Sequence, residues 1–114
     1  MKYCTSVSSD IKIDPQNEMP ITSDVIFCHD HVKSIYVFPS DENCEITEIR
    51  IDYMNRCDVV HKIDKSLGVV KINIKNYDCF KERDRSALQI RAKIKNNSNH
   101  AINLKLILMV KFEK

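Results

Sequence analysis

Strict alternation of apolar and polar side chains runs through the back half of this chain, and that pattern commits it to strands. In 87–95, Leu88, Ile90, Ala92 and Ile94 alternate with Gln89, Arg91, Lys93 and Lys95. A period of two sends the first set to one face and the second to the other. In 102–112, Leu104, Leu106, Leu108, Val110 and Phe112 line one face, while Ile107 and Met109 make the second face partly apolar. The second run therefore reads as a central strand covered on both sides, or as one that pairs across a dimer. Helical periodicity is sustained nowhere over three turns, and the best helical segment is one or two turns near 77–86.

Further strands are expected at 24–28, 33–38, 49–53, 58–63 and 69–75. The 58–63 and 69–75 pair reads as a hairpin whose loop, 64–68, ends on Gly68, the only glycine in the chain. Residues 1–20 read as an edge strand or a flexible arm around Ile11 and Ile13. Together these give an all-β, single-domain antiparallel β-sandwich of seven or eight strands spanning 1–114, immunoglobulin-like or jelly-roll-like. The strand-turn-strand from Ile94 through Asn96-Asn97-Ser98-Asn99-His100 to Ile102 resembles the mid-domain hairpin of immunoglobulin-like sandwiches.

Composition narrows the origin and the compartment. Ile, Lys and Asn supply 37 of the 114 residues, as the AT-rich genomes of many phages, large DNA viruses, low-GC bacteria and some protozoa encode. No apolar run reaches the roughly 18 residues of a membrane span, and no secretory leader is visible at the start. A cytoplasmic, intracellular protein is expected. The five cysteines are irregularly spaced and are expected to be reduced.

Four kinds of site can be weighed. Cys28, His29 and His31, with Cys57, His61 and Cys79, carry zinc-ligand chemistry, but the paired C-x-x-C spacing of structural zinc sites is missing. No nucleophile elbow and no glycine-rich oxyanion turn frames any Cys, His or Asp, so the chain is not expected to be an enzyme. The segment Asp64-Lys-Ser-Leu-Gly68 resembles the D-x-S-x-x-G signature of PilZ cyclic-dinucleotide receptors. Val69 stands in place of its last glycine, and Arg50 and Arg56 lack the spacing of the arginine pair that would hold phosphates. No cofactor is expected.

Charge is the fourth. Residues 1–57 hold five Lys/Arg against ten Asp/Glu, and residues 58–114 hold thirteen against six. Arg91, Lys93 and Lys95 share one strand face, and Lys71 and Lys75 share another; placed in one sheet they would make a basic patch, or they serve only to solvate outward strand faces, with the acidic first half neutralising the basic second half in the fold. The leading expectation is a non-enzymatic interaction module, an accessory, adaptor or inhibitor protein of viral or phage type, that presents this face to an acidic protein surface. A zinc-binding β domain, and weak nucleic-acid or nucleotide binding through the basic face, are the alternatives. Aromatic stacking partners are missing from those two strand faces, which favours a protein over RNA or DNA. No membrane partner is expected, and self-association through the long apolar strand is a further expectation.

Overall fold

A computed structural model describes residues 2–28, 31–53, 57–62, 69–73 and 86–113. Eleven strands lie among them: β1 (Lys2–Val7), β2 (Ile11–Ile13), β3 (Glu18–Thr22), β4 (Ile26–Cys28), β5 (His31–Pro39), β6 (Cys44–Tyr53), β7 (Cys57–Lys62), β8 (Val70–Asn73), β9 (Ser86–Asn96), β10 (Ile102–Leu104) and β11 (Leu106–Glu113). The short segment 77–85, the loop 64–68, and His29, Lys75 and Cys79 lie outside the described residues, so the expected helical turns and the PilZ-like loop do too.

Every ladder is antiparallel. One sheet has the order β1-β11-β5-β8, a second β3-β9-β6-β7 with β4 also on β9, and a small ribbon joins β10 to β2. Three of the breaks between strands are kinks rather than turns. β3 and β4 lie end to end along the same side of β9. β1 and β2 together follow β11 and β10. Counting each bent pair as one run gives eight runs, and in chain order the two sheets read 1-8-3-6 and 2-7-4-5. This interleaved order is that of a jelly roll. The expected sandwich of seven or eight strands stands, with the excess due to kinks that alternation in the sequence does not mark.

Both inner faces are built from the alternating residues. Val32, Ile35, Val37, Ile72, Leu106, Leu108, Val110 and Phe112 come from the first sheet. Ile21, Ile26, Ile46, Ile49, Ile51, Leu88, Ile90, Ala92 and Ile94 come from the second, and Ile13, Ile102 and Leu104 close the corner. They form one continuous cluster.

Two expected hairpins are corrected. β7 pairs with β6 and β8 pairs with β5 in the other sheet, so 58–75 crosses between sheets. β9 and β10 are likewise not partners, because β10 lies on β2. The polar stretch after β9 is an inter-sheet corner anchored by Asn96. This side chain is fully buried, donates through Nδ2 to the carbonyls of Ile13 (3.0 Å) and His100 (2.9 Å), and accepts from Ser98 N–H (2.9 Å) and Oγ–H (2.7 Å). The first twenty residues are not an arm. They supply an edge strand of each sheet and one strand of the ribbon.

Candidate interaction face

The sheet order separates the lysines that the sequence grouped. Arg91, Lys93 and Lys95 lie on β9, inside the second sheet, while Lys71 lies on β8 at an edge of the first. In a sandwich the outer faces of the two sheets point away from each other, so Lys71 cannot join the β9 residues in one patch.

The β9 face is also neutralised by its neighbours. Lys95 stands between Glu18 of β3 and Glu45 of β6, and Lys93 between Pro20 and Glu48. Lys93 Nζ lies 3.3 Å from a Glu48 carboxylate oxygen. Arg91 and Arg50 are directly opposite each other, with Thr22, Asp52 and Gln89 beside them around a shallow hollow of about 260 Å³. The acidic front half of the chain therefore supplies the strands that flank the basic back half. Four cations and four carboxylates, Glu18, Glu45, Glu48, Arg50, Asp52, Arg91, Lys93 and Lys95, share this face, so these eight described side chains carry no net charge.

The outer face of the first sheet is different. Register places Val7, Ile107 and Phe38 in one row, and Thr5, Met109, Tyr36 and Lys71 in the next. Tyr3 and Lys111 follow in a third. Tyr3 is 55% exposed and Val7 47%, and Val69, just before β8, is 56% exposed. Ile107, Met109, Tyr36 and Phe38 are half-buried. Lys71 Nζ sits 5.7 Å from the centre of the Tyr36 ring, and Lys111 Nζ sits 5.9 Å from that of Tyr3. Each ammonium is held over an aromatic face. No carboxylate occurs among the described side chains of these four strands.

β11 is central, between β1 and β5. Both its edges are occupied, so it cannot pair across a dimer as its apolar length suggested. Its second face is an outer face, over which no strand of the described residues lies. Tyr3, Val7, Tyr36, Phe38 and Val69 were not singled out from sequence. The signal was the apolar character of Ile107 and Met109, whose neighbours only the register reveals.

The zinc alternative meets a distance. Cys28 is on β4 and Cys57 and His61 are on β7, with β9 and β6 between. Three inter-strand steps separate these backbones by about 14 Å, more than two side chains can bridge through one zinc with bonds of about 2.3 Å. His31 opens β5, in the other sheet. Among the described residues no group of three His, Cys, Asp or Glu could hold a metal ion. Burial pushes the Cys44 thiol above its ordinary pKa, and the Asp41 carboxylate adds to this, so it behaves as a small apolar side chain rather than a nucleophile. Among the described residues no helix is long and apolar enough to cross a membrane.

The fold thus defines the chain as a jelly roll, an architecture found in viral capsid and lectin domains. A chain from the 3.5 Å cryo-EM structure of the Sputnik virophage superposes on it with a TM-score of 0.72 at 9% sequence identity. The match covers 95% of this chain and 34% of that one, so this chain spans about a third of the virophage chain's length. At that identity the likeness is one of fold. No protein-family model and no curated protein sequence matches the chain.

Proposed function

We propose that this protein is a non-enzymatic interaction module of viral origin that docks the outer face of β1-β11-β5-β8 on a protein partner with an acidic rim. The observation that carries the reading is the composition of that face: an apolar centre at Val7, Ile107, Met109 and Phe38, lysines at its margin, and no carboxylate among the described side chains. Exposed apolar surface rimmed by charge of one sign marks a protein-binding surface. The AT-rich composition and the fold shared with a virophage chain support the viral part of the reading.

Affinity capture from cells of the source organism tests it with two paired reversals. Lys71→Glu with Lys111→Glu is expected to abolish recovery of the partner. Lys93→Glu with Lys95→Glu, on the balanced face, is expected to retain it. The opposite pattern would overturn the assignment.

A second reading has one observation in its favour. Tyr3 and Tyr36 lie beside Lys111 and Lys71, and lysines interleaved with aromatics form a platform for single-stranded nucleic acid. The aliphatic centre of the face offers bases little to stack on, which favours the protein partner. Titration with a labelled single-stranded oligonucleotide at low and high salt separates the two. Binding that weakens steeply with salt supports the nucleic-acid reading, and absence of binding at low salt removes it.

A further inference from the structure

We infer that β1 is a self-pairing edge, through which two copies of this chain join their β1-β11-β5-β8 sheets into one eight-stranded sheet across a two-fold axis at Thr5. The inference is independent of the face proposed above. It rests on what the edges of the two sheets carry.

The sheets end on β1, β8, β3/β4 and β7. Natural edges are blunted by proline, charge, breaks or shortness. β3/β4 carries Glu18, Pro20 and Asp24 and is broken at 23–25; β8 is four residues long and carries Lys71; β7 includes Asp58 and Lys62. β1, Lys-Tyr-Cys-Thr-Ser-Val, has six residues with no proline, no break and no charge beyond Lys2 at its start. Among the described edges it is the one without protection.

The hydrogen-bond phase of β1 fixes which groups β11 leaves unused. Ser8 N–H donates to the Leu106 carbonyl at 2.9 Å, which makes Ser8 and Leu106 a hydrogen-bonded pair. Such pairs alternate along an antiparallel ladder, so Lys2, Cys4, Ser6 and Ser8 turn their backbone groups toward β11. The N–H and C=O groups of Tyr3, Thr5 and Val7 point to the open edge. Pro39, which has no N–H to give, falls opposite Leu106 at a non-bonded position on the other side of β11, consistent with the same phase.

These three residues are spaced symmetrically about Thr5. Antiparallel pairing of two β1 strands centred there uses every free group, with Thr5 against Thr5 and Tyr3 against Val7 in both directions. Each Tyr3–Val7 pair sets an aromatic ring against a β-branched side chain, a favourable cross-strand combination. Both residues are about half exposed in the single copy. Charge fits as well. Lys111 flanks Tyr3 in each copy, so the two-fold places it across from the Val7 row of the other copy and keeps the two lysines apart. The outer apolar rows of the two copies then run on into each other.

Sedimentation or light scattering of the wild-type chain is expected to give twice the 13.3 kDa chain mass. Thr5→Pro removes an N–H that β11 does not use, so the fold is kept while the paired edge loses two central bonds. Its dimer is expected to weaken by at least about tenfold. Thr5→Lys, at an exposed position, sets like charges opposite each other and gives the same result should the proline variant fail to fold. Register has its own readout. Cys4 is exposed and in this pairing faces Ser6 of the other copy in a non-bonded pair, about 4.5 Å between Cα atoms. Mild oxidation of Ser6→Cys is therefore expected to link two chains, and Ser6→Cys with Cys4→Ser is expected not to, because like positions lie about 8 Å apart. A wild-type mass of one chain, a dimer that survives both Thr5 variants, or no cross-link in Ser6→Cys would each overturn the proposal.

Discussion

Three small side chains do at single residues what the alternating pattern cannot: they let a strand leave its sheet without stranding a backbone group. Ser8 Oγ accepts from the Leu106 N–H at 2.8 Å and donates to the Ser9 carbonyl at 3.1 Å. Ser23 Oγ accepts from the Ile90 N–H at 3.0 Å and donates to the Asp24 carbonyl at 2.9 Å. Ser40 Oγ accepts from the Lys105 N–H at 2.8 Å on the other side of the β10/β11 kink. At each kink a hydroxyl takes the place of the carbonyl that has turned away, and buried N–H groups need such a partner. Ser23→Ala is accordingly expected to cost about 1–3 kcal/mol, because the Ile90 N–H is left buried without its acceptor. Ser9→Ala, at an exposed neighbour of another kink, is expected to stay within about 0.5 kcal/mol. Denaturant melts of the two variants against wild type provide the check, and equal midpoints would refute the role given to Ser23. None of these kinks was legible beforehand. A serine in a strand-rich sequence reads as a loop or an outward position, and its role is set by an N–H that lies 67 or 98 residues away.

At the scale of whole strands the sequence was legible in one direction and silent in the other. The inward sets of β9 and β11 could be named residue by residue, since period two fixes a face without reference to any partner. The partners could not. Both expected hairpins failed because a polar stretch between two alternating runs looks the same whether the chain turns back or crosses to the facing sheet. The face of β9 stayed open between a patch and a neutralised surface for the same reason: its lysines were visible, and the acidic strands flanking them were not assignable. The structure shows that flank to be ion pairing on a wet surface, so its worth is small and salt-sensitive. Lys93→Glu sets a carboxylate directly against Glu48, where Lys93 now stands at 3.3 Å with about half its side chain exposed. The variant is expected to lose about 1 kcal/mol at low ionic strength. Most of that loss is expected to vanish in about 1 M salt, where screening acts within roughly 3 Å. A loss of the same size at both salt levels would mean that packing, not charge, holds the position.

Taken as a whole, the molecule is a jelly roll in which the first and last runs of the chain meet inside one sheet. β1 lies on β11 from Lys2 opposite Phe112 to Val7 opposite Ile107. The front of the chain is acidic and the back basic, and interleaving them brings opposite charges into adjacent strands of the second sheet while leaving the first sheet's outer face cationic and apolar among the described side chains. That division of faces follows from the order 1-8-3-6 and 2-7-4-5, which no local pattern encodes. The same order has an energetic consequence. The two termini are brought together from opposite ends of the unfolded chain, and the ordering cost of that closure falls on β1 and β11. Neighbouring antiparallel strands lie about 5 Å apart, a gap that a loop of two to five residues spans. Head-to-tail cyclisation through such a linker is therefore expected to stabilise the fold by up to about 5 kcal/mol, the chain-entropy value for constraining a loop of roughly 100 residues in the unfolded state. The gain would appear as a higher denaturant midpoint with an unchanged strand spectrum. Equal or lower stability of the cyclic chain would mean that its ends do not meet in solution, and with that the pairing of β1 on β11, on which both proposed surfaces depend, would fall.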